Sequence, residues 1–307
     1  MSLNSVNTNI SAQVALQSLN TTSSELQATQ KRISTGYRVA DAADDGASFA
    51  VAQRVRADVG ALSTVNDQLG SAKGLVTTSM TALGKISDSV NKAQTLLVQI
   101  GSATTTTDQR AQFVTSYRAI VAQVADYTDN SKYNGQSLLG STDSPSGTPV
   151  AGVDKSVINS ETGSTKVLKN EDMSTLATTL AGLIGDSFKR TAGVDSFSAT
   201  PPTDSAMQAA AATALSSTTG ATSFAVSLKK VADANNQIGA DSNMLDATIS
   251  FNTSKIDSLN AGLGALIDTD LSKESAKLQA LQIKQQLGTQ ALSMANQAPQ
   301  SLMSLFK

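Results

Sequence analysis

One apolar rhythm occurs twice along this chain. From Val55 the positions Val59, Leu62, Asn66, Leu69, Lys73, Val76, Met80, Leu83, Ser87, Val90, Gln94 and Leu97 follow at steps that alternate four and three. The same spacing runs through Phe224, Leu228, Val231, Asn235, Ile238, Ser242, Leu245, Ile249, Asn252, Ile256, Leu259, Leu263 and Leu266. Steps averaging about 3.5 residues keep one side of a helix against a partner over many turns, so each run predicts a long coiled-coil-like helix. At about 1.5 Å per residue each seam is roughly 60 Å long. The apolar members of both runs are the expected rod core: Val59, Leu62, Leu69, Val76, Leu83, Val90 and Leu97 on the first, Leu228, Ile238, Leu245, Ile249 and Ile256 on the second. Two matched rods around a dissimilar middle predict a chain that goes out, turns and comes back. The expected fold is mainly α: an elongated antiparallel helical bundle built from both chain ends, with a small α+β domain in the middle.

A second stripe, Val65, Ala72, Leu75, Ala82, Ile86, Ala93, Leu96 and Ile100, lies beside the first. An apolar face that wide predicts contact with at least two other helices. Asp41-Ala42-Ala43-Asp44-Asp45 precedes the long helix, where carboxylates oppose the positive end of the helix dipole. Lys31, Arg32 and Arg38 are expected to pair with these acids. Residues 101–107 break the helix. Asp108 is then expected to cap a third helix whose seam is Phe113, Tyr117, Ile120, Val124 and Tyr127, with Phe113 and Tyr117 part of the rod core. The polar seam positions Asn66, Asn235, Ser242 and Asn252 have two readings, register-setting contacts or tolerated polarity in half-buried seams.

Shorter periodic runs occupy both ends. Ala12, Leu16, Leu19, Ser23, Leu26, Gln30 and Ile33 repeat at heptad spacing and stop at Gly36, a suitable helix terminator. After Gly262 and Gly264, the final helix carries Leu271, Leu278, Leu281, Gln285, Leu292 and Ala295 on one face and Ile283, Leu287, Ala291 and Met294 on another. The chain has no further segment to cover both faces, and Leu302, Met303, Leu305 and Phe306 add apolar side chains where termini are usually polar. The expected subunit interface is therefore Leu16, Leu19, Leu26, Ile33, Leu271, Leu278, Leu281, Leu287, Leu292, Leu302, Leu305 and Phe306, serving self-assembly. The segments expected are 1–40 and 263–307 as terminal coiled-coil pieces, 41–139 and 204–262 as rods, and 140–203 as the outer domain.

The texture changes at Tyr133-Asn134-Gly135, a turn signal, and residues 140–152 are rich in Ser, Thr, Pro and Gly. Residues 156–159 and 165–168 flank Ser160-Glu161-Thr162-Gly163 and predict a hairpin. Met173, Leu176, Leu180, Leu183 and Ile184 fit a short helix. Residues 189–203 read as loop, and the returning helical region starts near Asp204 with an interruption around 218–220.

Composition narrows the chemistry. The chain has 307 residues, 40% hydrophobic but only 4% aromatic and without Trp, which suits thin helix-on-helix packing over a thick core. A net charge of -2 gives no positive field for nucleic acid or anionic lipid. No apolar run is long enough to span a membrane, and the first residues lack the basic start and apolar stretch of a secretion signal. With neither Cys nor His, disulfides, thiolate metal sites and the commonest general base are absent. Ser227-x-x-Lys230 has the bare spacing of a Ser/Lys dyad, but it sits on a predicted rod and reads as structural. No cofactor and no enzymatic activity are expected.

Lys31-Arg32-Ile33-Ser34-Thr35-Gly36-Tyr37-Arg38-Val39, followed by Ala43-Asp44-Asp45-Gly46-Ala47, is similar to the N-terminal signature of bacterial flagellin. Asn7-Thr8-Asn9, residues 133–139 and the ending from Gln285-Gln286-Leu287-Gly288 through 295–306 match as well. The resemblance covers roughly 1–139 and 224–307 and leaves the middle unmatched. It implies a structural subunit of the flagellar filament that swims the cell, exported unfolded without a cleaved signal, its terminal helices pairing around a central channel. Identical subunits, the export machinery with its chaperone, and hook-associated and cap proteins are the implied partners, in an extracellular location. The terminal segments are expected to order as they are buried between subunits. Alternatives are a hook–filament junction protein, or a surface protein whose middle binds a polysaccharide, although Tyr133, Phe188 and Phe197 are its only aromatics. The innate-immune receptor for many flagellins reads the stretch aligning with 90–99. The family pattern there has two Arg and a Glu, whereas this chain has Lys92, Gln94 and Thr95, without the bidentate geometry of Arg.

Overall fold

The computed structural model describes residues 9–143, 148–198, 202–220 and 223–305, the side chains of 298–305 excepted. Among these residues are seven helices and two hairpins: α1 (Ile10–Thr35), α2 (Gly46–Gly101), α3 (Thr107–Asp129), β1 (Lys155–Ile158), β2 (Thr165–Leu168), α4 (Leu176–Gly182), β3 (Phe188–Thr191), β4 (Val194–Phe197), α5 (Asp204–Ser216), α6 (Phe224–Ile267) and α7 (Leu271–Leu305). The fold is thus mainly α with two small antiparallel sheets. Packing divides the chain into two compact units, Ala61–Lys255 and the pair Met1–Gly60 with Ile256–Lys307. Both cuts fall inside α2 and α6, not at the ends of the segments expected from sequence. An uninterrupted heptad pattern contains no mark of where one unit gives way to the next.

In the unit Ala61–Lys255, Leu62, Leu69, Val76, Leu83, Val90 and Leu97 of α2 are buried, and so are Val65, Ala72, Ile86, Ala93 and Ile100 of the second stripe. Tyr117, Val121 and Val124 of α3, Met207 and Ala211 of α5, and Val231, Ile238 and Leu245 of α6 join the same core. Phe113 and Ile249 pack at its edge. The middle of the chain adds Leu138, Leu139, Leu168, Met173, Leu176, Leu180 and Phe188 to that core.

On each long helix one row of the expected seam is buried and the other gives way to a neighbouring row. On α6 the buried positions run Ser227, Val231, Ala234, Ile238, Asp241, Leu245 and Asn252, and Leu228 is 36% exposed. On α2 the partner row of Leu62 to Leu97 is the 65-72-79-86-93-100 row, and Met80 is exposed. Leu228 is therefore not a rod-core residue. A one-residue step turns a helix by about 100°, and the added inward row of α6, Ser227, Ala234 and Asp241, carries small and polar residues that apolar counting passes over. Asn66 and Lys73 lie on the flank and contact the facing helix: Asn66 Nδ2 donates to Thr253 Oγ1 at 3.4 Å, and Lys73 pairs with Asp246.

Local signals explain most of the remaining elements. Thr106, not Asp108, caps α3, its hydroxyl accepting from Gln109 N while the Gln109 side chain accepts from Thr106 N. Arg110, buried, closes the C-terminus of α2. Its guanidinium donates to the carbonyls of Ile100, Ser102 and Thr105 and pairs with Asp204 at 2.8 Å, satisfying groups that a helix end leaves open. Asn134 (φ 50°) and Gly135 (φ 75°) form the two-residue turn between Tyr133 and Gln136. The β1–β2 hairpin pairs Lys155 with Leu168 and Ile158 with Thr165.

The second hairpin, β3–β4, lies where the sequence reads as loop. Its turn is Ala192 (φ 49°) and Gly193 (φ 78°), and Ala is a poor signal for a left-handed position. The Phe188 and Phe197 rings pair across it at 5.3 Å. Arg190, 5% exposed, fastens the hairpin: it reaches Asp195 at 2.5 Å, Asp126 at 2.8 Å and Asp129 at 3.0 Å. Asp129 also accepts from Thr142 N and Ser141 Oγ. Removing one side of such a buried pair strands the other charge. Arg190→Met is therefore expected to destabilise this unit by about 3 kcal/mol, read as a lower urea midpoint with loss of amide protection first in 188–197. Unchanged protection there would contradict the fastening role.

Candidate assembly surfaces

The second unit brings the two chain ends together. Asn9 starts α1, its side-chain oxygen accepting from Ala12 N at 3.0 Å and its Nδ2 donating to Ala295 O of α7 at 2.8 Å. Gly36, at φ 74°, ends α1, its N–H donating to Arg32 O. The connection that follows runs against the α6–α7 break. Arg38 N donates to Ile267 O at 2.6 Å, Thr269 N to Gly36 O at 3.0 Å, and the Arg38 guanidinium to Leu266 O at 2.6 Å. A cation on the last-turn carbonyls of α6 satisfies open acceptors and meets the negative end of the helix dipole. Val39, Ala52 and Ile267 form a small core beneath, edged by Phe49, Leu263 and Leu266.

The acidic run acts as a set of caps. Asp45 accepts from the N–H groups of Ala47 and Ser48 at the start of α2, and Asp44 from Ala40 N. Lys31 bridges Asp41 at 2.6 Å and Asp44 at 3.1 Å. Arg32 pairs instead with Glu274 at 3.5 Å, a partner 242 positions away (274 minus 32) that the sequence reading did not foresee. The Lys31 hydrogen bond holds the Asp41 carboxyl below the usual range; the Ala40 N–H, then Lys31, does so for Asp44, and the Ser48 hydroxyl for Asp45. Asp41 and then Asp44 raise the Lys31 ammonium.

α1 packs along α7. Leu19 lies so close to Gly288 that a Cβ there would stand 3.3 Å from Leu19 Cδ1. Of the expected interface residues, Leu281 is buried within the chain, whereas Leu19, Leu26, Ile33, Leu278 and Leu292 are half-buried. Leu281 is therefore taken up by the pair itself. Leu16, Leu271 and Leu287 are exposed, at 47%, 50% and 58%. The side chains of Leu302 and Leu305, and all of Phe306, lie outside the described residues. Val14, Ile283 and Met294 are also exposed on the two helices. Val59 and Ile256, expected in the rod core, are half-buried. Lys92, Gln94 and Thr95 lie on the exposed side of α2, backed by buried Val90, Ala93 and Leu97.

The two terminal helices pair with each other and leave Leu16, Leu271 and Leu287 exposed, the geometry of a mainly helical protein with open apolar faces at its chain ends. Residues 6–144 match the family described as the bacterial flagellin N-terminal helical region, and residues 225–306 its C-terminal helical region. The chain is 34% identical to a flagellin of Brucella melitensis biotype 1 over 303 residues, covering 99% of each. It is 34% identical to flagellin FljM of Caulobacter vibrioides over 307 residues, and 30% to flagellin C of Rhizobium meliloti over 326, each covered over 99% or more of both chains. The chain belongs to the flagellin family: it is a structural subunit of the extracellular flagellar filament, a homopolymer. Among the described residues no helix is long and apolar enough to cross a membrane.

The junction at 31–45 has a defined pH response. Asp41, Asp44 and Asp45 have lowered values, so their contribution is complete above the ordinary aspartate value of about 3.9 and disappears as pH falls through the lowered ones. Lys31 is raised, so its contribution is lost only at strongly alkaline pH. Below about pH 4 the amides of 40–48 are expected to lose protection, and Lys31→Met to show a smaller loss because part of the interaction is already gone. Equal acid sensitivity in both chains would exclude Lys31 as the bridge.

Proposed function

We propose that α1 and α7 are the segments through which subunits of this filament join. Leu16, Leu271 and Leu287 form the open centre of the contact, the half-buried Leu19, Leu26, Ile33, Leu278 and Leu292 its sides, and Leu302, Leu305 and Phe306 extend it at the end of the chain. The observation that carries this reading is the exposure of large apolar side chains on a helix pair already held together by Asn9, Leu281 and the Leu19–Gly288 approach. Uncovered apolar surface of this kind is stabilised by burial against copies of the same chain. The role is structural, without catalysis. The chain leaves the cell through the flagellar export route with its chaperone and an uncleaved N-terminus, and meets hook-associated and cap proteins at the filament ends.

Purified monomer seeded with filament fragments and viewed by negative-stain electron microscopy tests this. The intact chain is expected to give filaments. A Leu16→Asp, Leu287→Asp double variant, and a chain lacking 1–39 and 264–307, are expected to give none while unit Ala61–Lys255 unfolds at an unchanged urea midpoint. Filaments from the double variant would remove these residues from the interface. Mass spectrometry of the shed filaments is expected to show an uncleaved N-terminus.

The exposed positions Lys92, Gln94 and Thr95 point to weak recognition by the innate receptor, because Gln94 and Thr95 offer neither the charges nor the planar donors of the family pattern. A receptor reporter-cell assay is expected to give a response far below that of a flagellin carrying the pattern; an equal response would refute it.

A further inference from the structure

Asn134-Gly135 is the one Asn-Gly pair in the chain. Both residues are exposed and both have positive φ, 50° and 75°, the form of a type I′ turn. Two hydrogen bonds close the turn, Tyr133 N to Gln136 O at 2.8 Å and Gln136 N to Tyr133 O at 3.0 Å. Tyr133 seats it on α2: a Cβ on Gly74 would stand 2.8 Å from Tyr133 Cζ and 2.9 Å from Cε2, so the ring fills the space that a side chain there would need. The flanking chain is held independently, by Ser131 Oγ against Ser137 Oγ at 3.0 Å and by buried Leu138 and Leu139. The turn borders an open cleft of about 360 Å³, shared with Ser71, Asp154 and Lys155, through which water and hydroxide reach Asn134.

Asn followed by Gly leaves the next backbone nitrogen least hindered, because Gly has no Cβ. The Gly135 amide nitrogen, its proton taken by hydroxide, attacks Asn134 Cγ. The new N–Cγ bond closes a five-membered succinimide, the Cγ–Nδ2 bond breaks and ammonia leaves. Water then opens the ring at either carbonyl and leaves aspartate or isoaspartate. Ring closure requires the Gly135 nitrogen to come round to the Asn134 Cβ across the Cα–C bond. In a type I′ turn the first central residue has ψ of about +30°, which puts the two nearly opposite. The closed turn is therefore unreactive, and the reaction waits for it to open. We propose that Asn134 is a site of spontaneous deamidation, and that the seating of Tyr133 against Gly74 sets how often it reacts. Isoaspartate carries the backbone through an additional carbon, so the two bonds between Tyr133 and Gln136 do not both re-form and the turn stays open. In a subunit of an extracellular filament the product accumulates with age.

The test is to hold the full-length protein at mildly alkaline pH and follow aspartate and isoaspartate at position 134 by peptide mapping and mass spectrometry. The chain unfolded in urea is expected to convert fastest. Folded wild type reacts only in the fraction of time the turn stands open, and is expected to be slower by about tenfold or more. Gly74→Ala and Tyr133→Ala unseat the ring in different ways, and each is expected to raise the folded rate severalfold. Tyr133→Phe keeps the ring and is expected to match wild type. Amide exchange at Tyr133 and Gln136 is expected to quicken in the two unseated variants while 90–97 of α2 keeps its protection, which separates opening of the turn from loss of the fold. Folded wild type converting as fast as the unfolded chain, or both unseated variants converting no faster than wild type, would overturn the role of Tyr133. No product at Asn134 in the unfolded chain would overturn the site itself.

Discussion

The structure depends on an apolar row repeated at 3.5 residues on helices too long to be covered by one partner. In α2 two adjacent rows are buried at once, the Leu62 to Leu97 row and the Val65 to Ile100 row. With so few aromatic rings in the chain, burial has to come from many aliphatic contacts spread along helices. The middle of the chain is recruited for the same reason: Leu138, Leu139, Leu168 and Phe188 extend a core that α2, α3 and α6 begin.

Arginines do the closing where apolar material is thin. Arg110 satisfies the carbonyls at the end of α2 and reaches Asp204 at the start of α5. Arg190 gathers three carboxylates beneath the second hairpin, and Arg118 pairs with buried Asp186 while lying 5.2 Å from the Phe197 ring. The planar guanidinium suits this task because it serves several acceptors in fixed directions without needing a matching shape. At the chain ends Arg38 and Lys31 perform the equivalent task, one on the last carbonyls of α6 and the other on the acidic caps of α2.

The terminal pair has the opposite character. Within the chain α1 and α7 use Leu281, Leu19 and the Asn9 amide to hold each other, which leaves part of their apolar surface open. Incomplete burial is a defect in a lone monomer; under the assembly proposed above, the missing cover is another copy.

The sequence by itself determined the helices, their order and the family. Heptad spacing, Gly36 as a stop, Asn134-Gly135 as a turn and the signatures at both ends act over a few residues, so local chemistry suffices to read them. It also placed β1–β2, whose strands flank a Ser160–Gly163 turn. Tertiary structure alone decided which neighbouring row of α6 joined the row legible in the sequence. Leu228 is exposed and Ala234 and Asp241 buried because packing selects the row that lets neighbouring helices approach, and a small or polar residue there is invisible to a count of apolar positions. It also decided β3–β4, whose Ala192 turn carries no strong local signal and whose stability comes from Arg190 and the paired Phe rings. Contacts such as Arg32 with Glu274 join residues from opposite ends of the chain. No periodicity within either segment can encode them, because each partner's position is set only once the chain has come back on itself.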